Sequence, residues 1–583
     1  MLKTLLGSVR EYKKKTIITP ILVTVEVVLE IIIPLLMADL IDFGINAGDM
    51  GYILRIGALL VAAALISLVF GVFAGMTAAE SSSGFAKNLR KDMYYNVQNF
   101  SFSNIDKFST ASIITRLTTD VTNVQMAFQL TIRMAVRAPL TMLFSLIVAF
   151  GINSQIALIF LLAIPILGTL LILIIRKVHP IFRRVFKTYD LLNSDVSENL
   201  HGIRVVKSFV REDFENKKFG KVSQKIYDDF SKAEKLIAFN APIMQTCIYV
   251  CMLLVSWFGA RLIVASGGNP AVGMSTGQLT SMFTYAVQIL MSLMMISMVL
   301  VMMTISRASA ERIVELLKEE SDLKDGENPV MVVKDGSISF SDVDFSYSKD
   351  ADKLCLSGID LSIRSGETVG ILGGTGSSKS TLVQLIPRLY DTSKGSVLVG
   401  GVDVKDYDLD ALREQVAMVL QKNVLFSGTI KENLRWGNEN ATDRDMERVC
   451  KIAQADDFIR SFPNGYDTYV EQGGTNLSGG QKQRLCIARA LLKKPRILIL
   501  DDSTSAVDTR TDALIRKALK DEMPDTTKLI IAQRVASVMD ADKIIVMDDG
   551  KISAMGTHDE LMKSDGIYRE VFESQMRGGL RDE

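Results

Sequence analysis

Stretches without a charged residue dominate the first half of the chain and predict its helices. The 38 residues between Arg137 and Arg176 lack Asp, Glu, Lys and Arg, although about 20 apolar residues suffice to cross a bilayer once. They predict a hairpin of two membrane helices, with its turn at the polar triplet Asn153-Ser154-Gln155. Four further apolar runs bring the predicted number of spans to six: 16–39, 56–79, 236–260 and 262–306.

Basic residues indicate which side of the membrane is cytoplasmic. Five of them precede the first span, whereas the three predicted outer loops carry Arg55 and Arg261, near their edges. Because cytoplasmic loops hold the excess of Lys and Arg, both termini are predicted to be cytoplasmic, in a multi-pass protein of the cell membrane. The inner connections 80–133 and 177–235 interleave charged and apolar residues at helical spacing, which predicts helices that project into the cytoplasm.

Composition narrows the class of protein. The chain has 583 residues, 48% of them hydrophobic and 23% charged, so it has room for several domains and separates apolar from charged segments. Its formal net charge is zero, which gives no electrostatic case for a nucleic-acid partner. The five cysteines show neither the spacing of metal ligands nor a disulfide framework.

Two features of the predicted spans carry candidate chemistry. Glu26 and Glu30 lie one helical turn apart in the first span. Carboxylates in a membrane are costly, so this pair either contacts a cationic substrate or a proton, or faces a water-filled cavity or the cytoplasmic end. Flexible methionines on the sixth span suit either varied apolar ligands or ordinary packing; they are Met282, Met291, Met294, Met295, Met298, Met302 and Met303.

A soluble domain is predicted after the membrane half. Residues 306–329 have the pattern of a polar helical extension that stops near Pro329. Strands are predicted in 330–343 and 365–372, and a glycine-rich loop then leads into a helix. In nucleotide-binding α/β domains this order lets backbone N–H groups and the helix dipole surround phosphates. The loop is Gly373-Gly374-Thr375-Gly376-Ser377-Ser378-Lys379-Ser380-Thr381.

The residues of this loop predict how ATP and Mg²⁺ are bound. Lys379 is expected to reach the β- and γ-phosphates, and the hydroxyl of Ser380 to bind Mg²⁺. Ser378 departs from the usual motif, because it stands where a glycine precedes the lysine. So short a motif does not decide the function alone.

A second motif, Leu477-Ser478-Gly479-Gly480-Gln481, is followed by KQRLCIARALLKKPRILILDD. With the phosphate loop, and in this order, it resembles the ATP-binding cassette of ABC transporters over residues 336–571. The resemblance implies that Ser478, Gly479, Gly480 and Gln481 open a helix whose N-terminus faces ATP held by the opposite cassette of a head-to-tail dimer, and a helix N-terminus favours an anion. The implied fold is six transmembrane helices with long cytoplasmic extensions, followed by an α/β P-loop cassette.

The ABC resemblance also implies roles for single residues. Tyr347 matches the aromatic residue that stacks on adenine, and Gln421 matches the glutamine that contacts Mg²⁺ and water and senses the membrane domain. Asp501 matches the aspartate that binds Mg²⁺. Residues 505–508 (SAVD) resemble the loop that crosses the dimer interface.

The membrane half fits the same resemblance. Segments 101–117 and 202–216 are similar to the coupling helices of exporters in which a membrane domain and a cassette share one chain. Three domains are therefore expected: a membrane domain at 1–310, a linker at 311–335 and a cassette at 336–583.

Besides Ser378, two positions break the family pattern. Asp502 stands where ABC ATPases carry the glutamate that orients or deprotonates the attacking water, and Gln533 stands where they carry a histidine that contacts the γ-phosphate. The shorter Asp502 sets its carboxylate back, and misplacement by about 1 Å costs roughly 10²-fold in rate. Gln533 can hydrogen-bond but cannot become cationic. With Gln421, these are the predicted catalytic positions of a site that binds MgATP and turns it over slowly.

The predicted function is that of one subunit of a heterodimeric ABC exporter, which moves hydrophobic or amphipathic compounds such as drugs or lipids outward. The intact signature has to complete the site of a second, non-identical half-transporter, where most hydrolysis would occur; a homodimer would contain two weak sites. The alternative is an ATP-gated regulatory or channel-like membrane protein that does not pump stoichiometrically. A soluble ATPase with tandem cassettes is excluded by the six spans.

Overall fold

The computed structural model describes residues 1–266, 273–347, 354–503 and 507–579. The chain divides into two compact units, one of residues 1–98 and 110–319 and the other of residues 99–109 and 320–583. The described residues of the first unit form helices, and all the described strands belong to the second unit.

Six regions in the described part of the chain are long and apolar enough to cross a membrane: Arg10–Ile45, Met50–Gln98, Thr110–Ile152, Ser154–His201, Glu212–Ser266 and Thr276–Lys318. The six spans predicted from the charge pattern are therefore confirmed. Their α-helices, with the shorter ones between them, are α1 (Leu2–Gly7), α2 (Lys13–Asp39), α3 (Met50–Gln98), α4 (Phe102–Lys107), α5 (Thr110–Thr115), α6 (Val121–Ile152), α7 (Ser154–His201), α8 (Ile203–Ser208), α9 (Glu212–Ile237), α10 (Asn240–Ser266) and α11 (Thr276–Lys318).

Small residues on α3 explain how this helix packs. Ala63, Ser67, Ala74 and Ala78 recur every four or seven residues and are buried, whereas Leu68 is 61% exposed. In a membrane, small side chains let helix backbones approach closely, and large apolar ones can face lipid. One side of α3 is therefore built for contact with helices and the other for contact with lipid.

The predicted hairpin turn lies where the polar triplet indicated. Helix α6 ends at Ile152 and α7 begins at Ser154. The side chain of Asn153 accepts hydrogen bonds from the N–H groups of Gln155 and Ile156 at 3.0 and 3.2 Å, so it satisfies two donors at the start of α7 that have no partner within the helix. The turn prediction is confirmed.

The helical extension predicted for 306–329 is confirmed as far as Lys318, but its predicted end near Pro329 is wrong. Helix α11 ends at Lys318, and Glu319 already has extended backbone angles (φ −66°, ψ 128°). The sequence SDLKDGEN that follows at 321–328 contains Ser, Asp, Gly and Asn, whose side chains or backbone freedom favour turns over helix.

The second unit is built on two main sheets. A six-stranded sheet has the order β12-β11-β3-β10-β9-β6, a four-stranded sheet has the order β2-β1-β4-β5, and β7 pairs with β8. Every residue of β9 and β10 is buried, as expected for parallel strands covered on both faces. The strands are β1 (Ile338–Phe345), β2 (Leu356–Ile363), β3 (Thr368–Gly373), β4 (Lys394–Val399), β5 (Val402–Asp403), β6 (Val416–Val419), β7 (Gly428–Thr429), β8 (Tyr469–Val470), β9 (Ile497–Asp501), β10 (Thr527–Ile531), β11 (Lys543–Asp548) and β12 (Lys551–Gly556).

Two hydrophobic cores hold this unit together. One joins the two sheets, with Phe340, Ile359 and Ile371 among its buried members. The other packs helices on the six-stranded sheet, with Ile487 and Leu500 among its members. The helices are α12 (Lys379–Gln384), α13 (Leu409–Gln415), α14 (Ile430–Arg435), α15 (Asp443–Ile452), α16 (Asp456–Ser461), α17 (Gly479–Leu492), α18 (Thr509–Glu522), α19 (His558–Ser564) and α20 (Gly566–Gly579).

Candidate nucleotide-binding site

The topology of the six-stranded sheet gathers the predicted site residues at one edge. The neighbouring strands β3, β10, β9 and β6 run parallel, so their carboxyl ends meet at the same edge, where ligands bind in such sheets. The phosphate loop leaves β3 there, Asp501 ends β9, and Gln533 and Gln421 each follow within two residues of β10 and β6.

The phosphate loop needs unusual backbone angles. Gly373 has φ 157° and Gly376 has φ 86°, and a Cβ atom on Gly373 would lie 2.4 Å from the carbonyl oxygen of Met547. Ser378 has φ 67°, in the left-handed region, where a residue other than glycine costs roughly 1–2 kcal/mol. The loop therefore carries strain at the position where it departs from the family motif. Within the loop, Gly374, Thr375 and Gly376 are exposed, whereas Ser377 and Thr381 are buried.

Lys379 lies over the loop that precedes it. Its ammonium donates hydrogen bonds to the carbonyl oxygens of Gly373 and Gly374 at 2.9 and 2.8 Å, and to Oγ of Ser377 at 3.3 Å. Burial lowers the pKa of Lys379, while two nearby carboxylates oppose that shift. The ammonium is therefore placed within the loop, at the start of α12, where a phosphate would meet it.

Two oxygen donors lie together beside the lysine. The hydroxyl of Ser380 donates a 2.9 Å hydrogen bond to Oδ1 of Asp501, which is 3% exposed. Burial raises the pKa of Asp501, and the hydrogen bond from Ser380 opposes the shift. Hydroxyl and carboxylate oxygens are ligands that Mg²⁺ prefers, so this pair fits a magnesium ion.

The three predicted catalytic positions meet at Asp502. Its backbone has φ 49° and is fixed by hydrogen bonds to the carbonyl oxygen of Ile531 (3.1 Å) and from the side chain of Gln483 (3.2 Å). Nε2 of Gln533 donates to Oδ2 of Asp502 at 2.8 Å. Burial raises the pKa of Asp502, and hydrogen bonds from Gln421 and Gln533 oppose it. The carboxylate thus already accepts two amide donors.

Tyr347 is held beside the start of α12. Its hydroxyl lies 3.1 Å from Oγ1 of Thr381 and donates to Oε1 of Gln384 at 3.1 Å. Tyr390 meets its ring edge-on, with the ring centroids 5.1 Å apart, and half of Tyr347 remains exposed. An aromatic surface is therefore fixed next to the phosphate loop.

The signature residues form the capped start of α17. Oγ of Ser478 accepts from the N–H of Gln481 at 3.3 Å, and Oε1 of Gln481 accepts from the N–H of Ser478 at 2.9 Å, which is a capping box. Gly479 and Gly480 are the first helical residues. The box uses the Ser478 oxygen as an acceptor, so the hydroxyl proton remains available to an anion. Part of the predicted interface loop 505–508 lies outside the described residues.

In the membrane half, the structure supplies a partner that sequence reasoning missed. Glu26 and Glu30 of α2 each pair with Arg137 of α6 at 2.6 Å. An arginine beside an apolar span is itself a signal, because it needs a carboxylate there. The methionines of α11 differ in exposure, from buried Met282 to Met298, which is largely exposed.

The first predicted coupling segment, 101–117, contains two short helices: α4, which belongs to the same unit as the cassette, and α5, which belongs to the first unit. The hydroxyl of Tyr390 donates to Oδ2 of Asp106 at 2.6 Å, and Ser103 donates to Asp322 at 2.7 Å. Burial and the contact with Asp106 raise the pKa of Tyr390. Tyr390 thus touches both α4 and Tyr347, a link that no sequence motif indicated.

Comparisons with known proteins assign the family. Residues 16–293 match the model of the ABC transporter transmembrane region, and residues 356–505 match that of the ABC transporter. The uncharacterized ABC transporter ATP-binding protein YfiB of Bacillus subtilis (strain 168) is 37% identical over 570 residues, which cover 98% of each chain. The ATP-dependent lipid A-core flippase of Desulfotalea psychrophila is 33% identical over 494 residues, 84% of each chain.

The fold of the whole chain is also found in a solved structure. The structure of a bacterial Atm1-family ABC exporter with ATP bound superposes with a TM-score of 0.82 at 24% identity, and the match covers 97% of this chain and 98% of that one. The chain therefore belongs to the ABC transporters, as a half-transporter that joins one multi-pass membrane domain to one ATP-binding, transport-ATPase cassette in the fold of an ABC exporter.

Proposed function

We propose that this half-transporter works with a second, non-identical half-transporter, and that its own site binds MgATP but hydrolyses it slowly. The hydrogen bond of 2.8 Å from Gln533 to Asp502 carries the proposal. A carboxylate that accepts two amide donors polarises water less, and a neutral amide brings no positive charge to a γ-phosphate. A homodimer would contain this arrangement twice.

The binding half of the proposal rests on groups that suit MgATP. Lys379 would exchange its loop carbonyls for phosphate oxygens, and Ser380 and Asp501 would hold Mg²⁺. Bound Mg²⁺ neutralises charge on the phosphates. Tyr347 would stack on adenine, and Gln421 would lie beside the metal and water. Binding is thus expected to stay strong where turnover is weak.

The hydrolytic half belongs to the partner's site. The hydroxyl of Ser478 and the N-terminus of α17 would face the γ-phosphate bound by the other cassette, where they stabilise the charge that develops in the transition state. This chain therefore contributes to catalysis through α17 more than through its own phosphate loop.

Exposed apolar surfaces support assembly with a second chain. In the first unit, α8 is followed by Phe209 and Val210, which are 74% and 80% exposed. In the second unit, Phe426 and Trp436 stack with ring centroids 4.3 Å apart beside a cavity of about 420 Å³. Burying such surfaces is favourable at about 25 cal/mol per Å². We expect the coupling segment of each chain to fill the groove of the other.

The membrane half would move hydrophobic or amphipathic compounds, lipids among them, outward. The flippase relative supports a lipid-like substrate, and the exposed Met291, Met294 and Met298 of α11 provide an adaptable apolar wall. Both termini and the cassette, 336–583, are placed in the cytoplasm on the distribution of basic residues.

ATPase assays on the two-chain complex, purified through a tag on this chain, test the proposal. Ser478→Arg should nearly abolish hydrolysis, and Ser478→Ala, which removes only the hydroxyl, should lower it less. Lys379→Ala should leave substantial hydrolysis, because losing one charged contact costs about 1.5–3 kcal/mol of binding at the weak site. Equal loss in Lys379→Ala and Ser478→Arg, or brisk turnover by a verified homodimer of this chain, would contradict the division of labour.

A further inference from the structure

The C-terminal helix α20 lies against the segment that carries Gln533. Tyr568 of α20 is 2% exposed and shares a hydrophobic core with Val535 and Val538, each 1% exposed. His558 also meets the ring of Tyr568, with the centroids 5.7 Å apart. Packing therefore fixes the base of α20 on the back of the segment 532–538.

Gln575, further along α20, holds the backbone of that segment on two sides. Its Oε1 accepts the N–H of Val535 at 2.8 Å, and its Nε2 donates to the carbonyl oxygen of Gln533 at 2.8 Å. One side-chain amide thus bridges the backbone around Arg534, as a neighbouring strand would. Both bonds have good hydrogen-bond lengths.

The backbone that Gln575 bridges carries a side chain of the candidate nucleotide site. The side chain of Gln533 reaches Oδ2 of Asp502 at 2.8 Å. The far end of the segment is fixed by Ser537, whose hydroxyl donates to Asp512 at 2.9 Å. Hydrogen bonds fail beyond about 3.5 Å, so a shift of the Gln533 backbone by 1 Å would separate its amide from Asp502.

We infer that Gln575 is a positioning residue that keeps Gln533 on Asp502, so that docking of the C-terminal helix controls how long nucleotide stays in this chain's site. When α20 is docked, the Gln533 amide stays at the phosphate end of the site. When the Gln575 bridge opens, that amide leaves and nucleotide dissociates faster. This inference adds regulation to the proposed function and rests on it for the nucleotide readout.

The test compares Gln575→Ala and Gln575→Glu with the neighbouring control Ser574→Ala, all in the full-length complex. Hydrogen–deuterium exchange of peptides over 532–538 reports the Val535 amide. In Gln575→Ala this amide should exchange on the order of tenfold faster, the equivalent of about 1.4 kcal/mol. Gln575→Glu keeps the acceptor for Val535, so exchange there should stay near that of the unchanged protein.

Nucleotide retention supplies the second readout. The complex is loaded with 8-azido-ATP and chased with ATP, and the photolabel remaining on this chain is followed over time. Loss should be about tenfold faster in Gln575→Ala, and also faster in Gln575→Glu, whose carboxylate faces the carbonyl oxygen of Gln533; Ser574→Ala should behave as the unchanged protein.

The outcomes separate the inference from the proposed function. Unchanged exchange in Gln575→Ala, or faster exchange with unchanged label loss, overturns the positioning role. If the unchanged complex retains no label on this chain, the proposed nucleotide site is refuted. The claim that Gln575 controls nucleotide retention is then refuted as well. The exchange result decides only whether Gln575 holds the segment 532–538.

Discussion

Replacing Arg137 by methionine removes the guanidinium that faces two carboxylates in the membrane half. Nη1 lies 2.6 Å from Oε1 of Glu26, and Nη2 lies 2.6 and 2.9 Å from the two oxygens of Glu30. At 1.5 Å per residue, Arg137 is about 23 Å from the helix end at Ile152, within a hydrocarbon core of about 30 Å.

The expected loss of stability follows from the burial of the three charged side chains. Their side chains are 8% (Glu26), 20% (Arg137) and 31% (Glu30) exposed, and removing one partner of a buried ion pair costs about 3–5 kcal/mol. Well-packed hydrophobic residues of similar volume at the same positions are often as stable as a buried ionic set. Arg137→Met alone should therefore destabilise by about 3–5 kcal/mol, and the triple variant Glu26→Met, Glu30→Met, Arg137→Met by much less.

Thermal unfolding in a single detergent ranks the stability of these variants. Unfolding is detected as the loss of monodisperse protein with rising temperature. Arg133→Met is the matched control, because Arg133 lies one turn earlier on α6 and has no ion pair within the described ranges. The midpoint should fall steeply for Arg137→Met and recover in the triple variant. If Arg133→Met falls as far, or if the triple variant is as unstable as the single one, the ionic link between α2 and α6 is not what stabilises this region.

Three further changes have defined outcomes. Ser378→Gly should raise the free energy of unfolding of the nucleotide-free cassette by about 1 kcal/mol by removing left-handed strain, and an unchanged melting temperature would contradict this. Asp502→Glu with Gln533→His should raise ATP turnover by the isolated chain at least about tenfold; an unchanged rate would place the defect elsewhere. Gly277→Ala should destabilise by about 1–3 kcal/mol, since its Cβ would lie 2.3 Å from a carbonyl oxygen of α2, whereas Gly151→Ala, in open space, should not.

The fold was predictable where it depends on interactions between residues that are close together in the sequence. Burying a charge in lipid is costly enough that gaps between charges locate the spans, and Asn153 caps the helix after the turn that its polarity predicted. The end of α11 was predicted too late. The helical mixture of charged and apolar residues from Ser306 was extended to Pro329, although the turn-favouring residues at 321–328 were already a signal against helix; the structure has Glu319 leaving the helix.

The residues of the candidate nucleotide site were predicted in two ways. Lys379 was predicted from its glycine-rich loop, whereas Asp501 and Gln533 were predicted from the resemblance to ABC cassettes. The structure brings the three together because each follows or ends a parallel strand, and parallel strands bring their carboxyl ends to one edge. Contacts between distant helices have no such rule. The bond from Gln575 to the backbone near Gln533 joins residues about 40 positions apart and leaves no motif, and the pairing of Arg137 with α2 likewise required coordinates.

The contact between Asp502 and Gln533 bears on why an asymmetric transporter would retain a weak site. Phosphate-binding groups such as Lys379 and Ser380 are present, so the free energy of ATP binding remains available to hold two cassettes together, and ligand binding stabilises the state it favours in proportion to its occupancy. In the proposed function, what the site lacks is a carboxylate free to polarise water. If Ser478 of the same chain completes the other site, as proposed above, a slowly emptied site would keep α17 in place through successive turnovers at its neighbour. The weak site would then act by staying occupied, and mutations that empty it should slow the strong site without touching its residues.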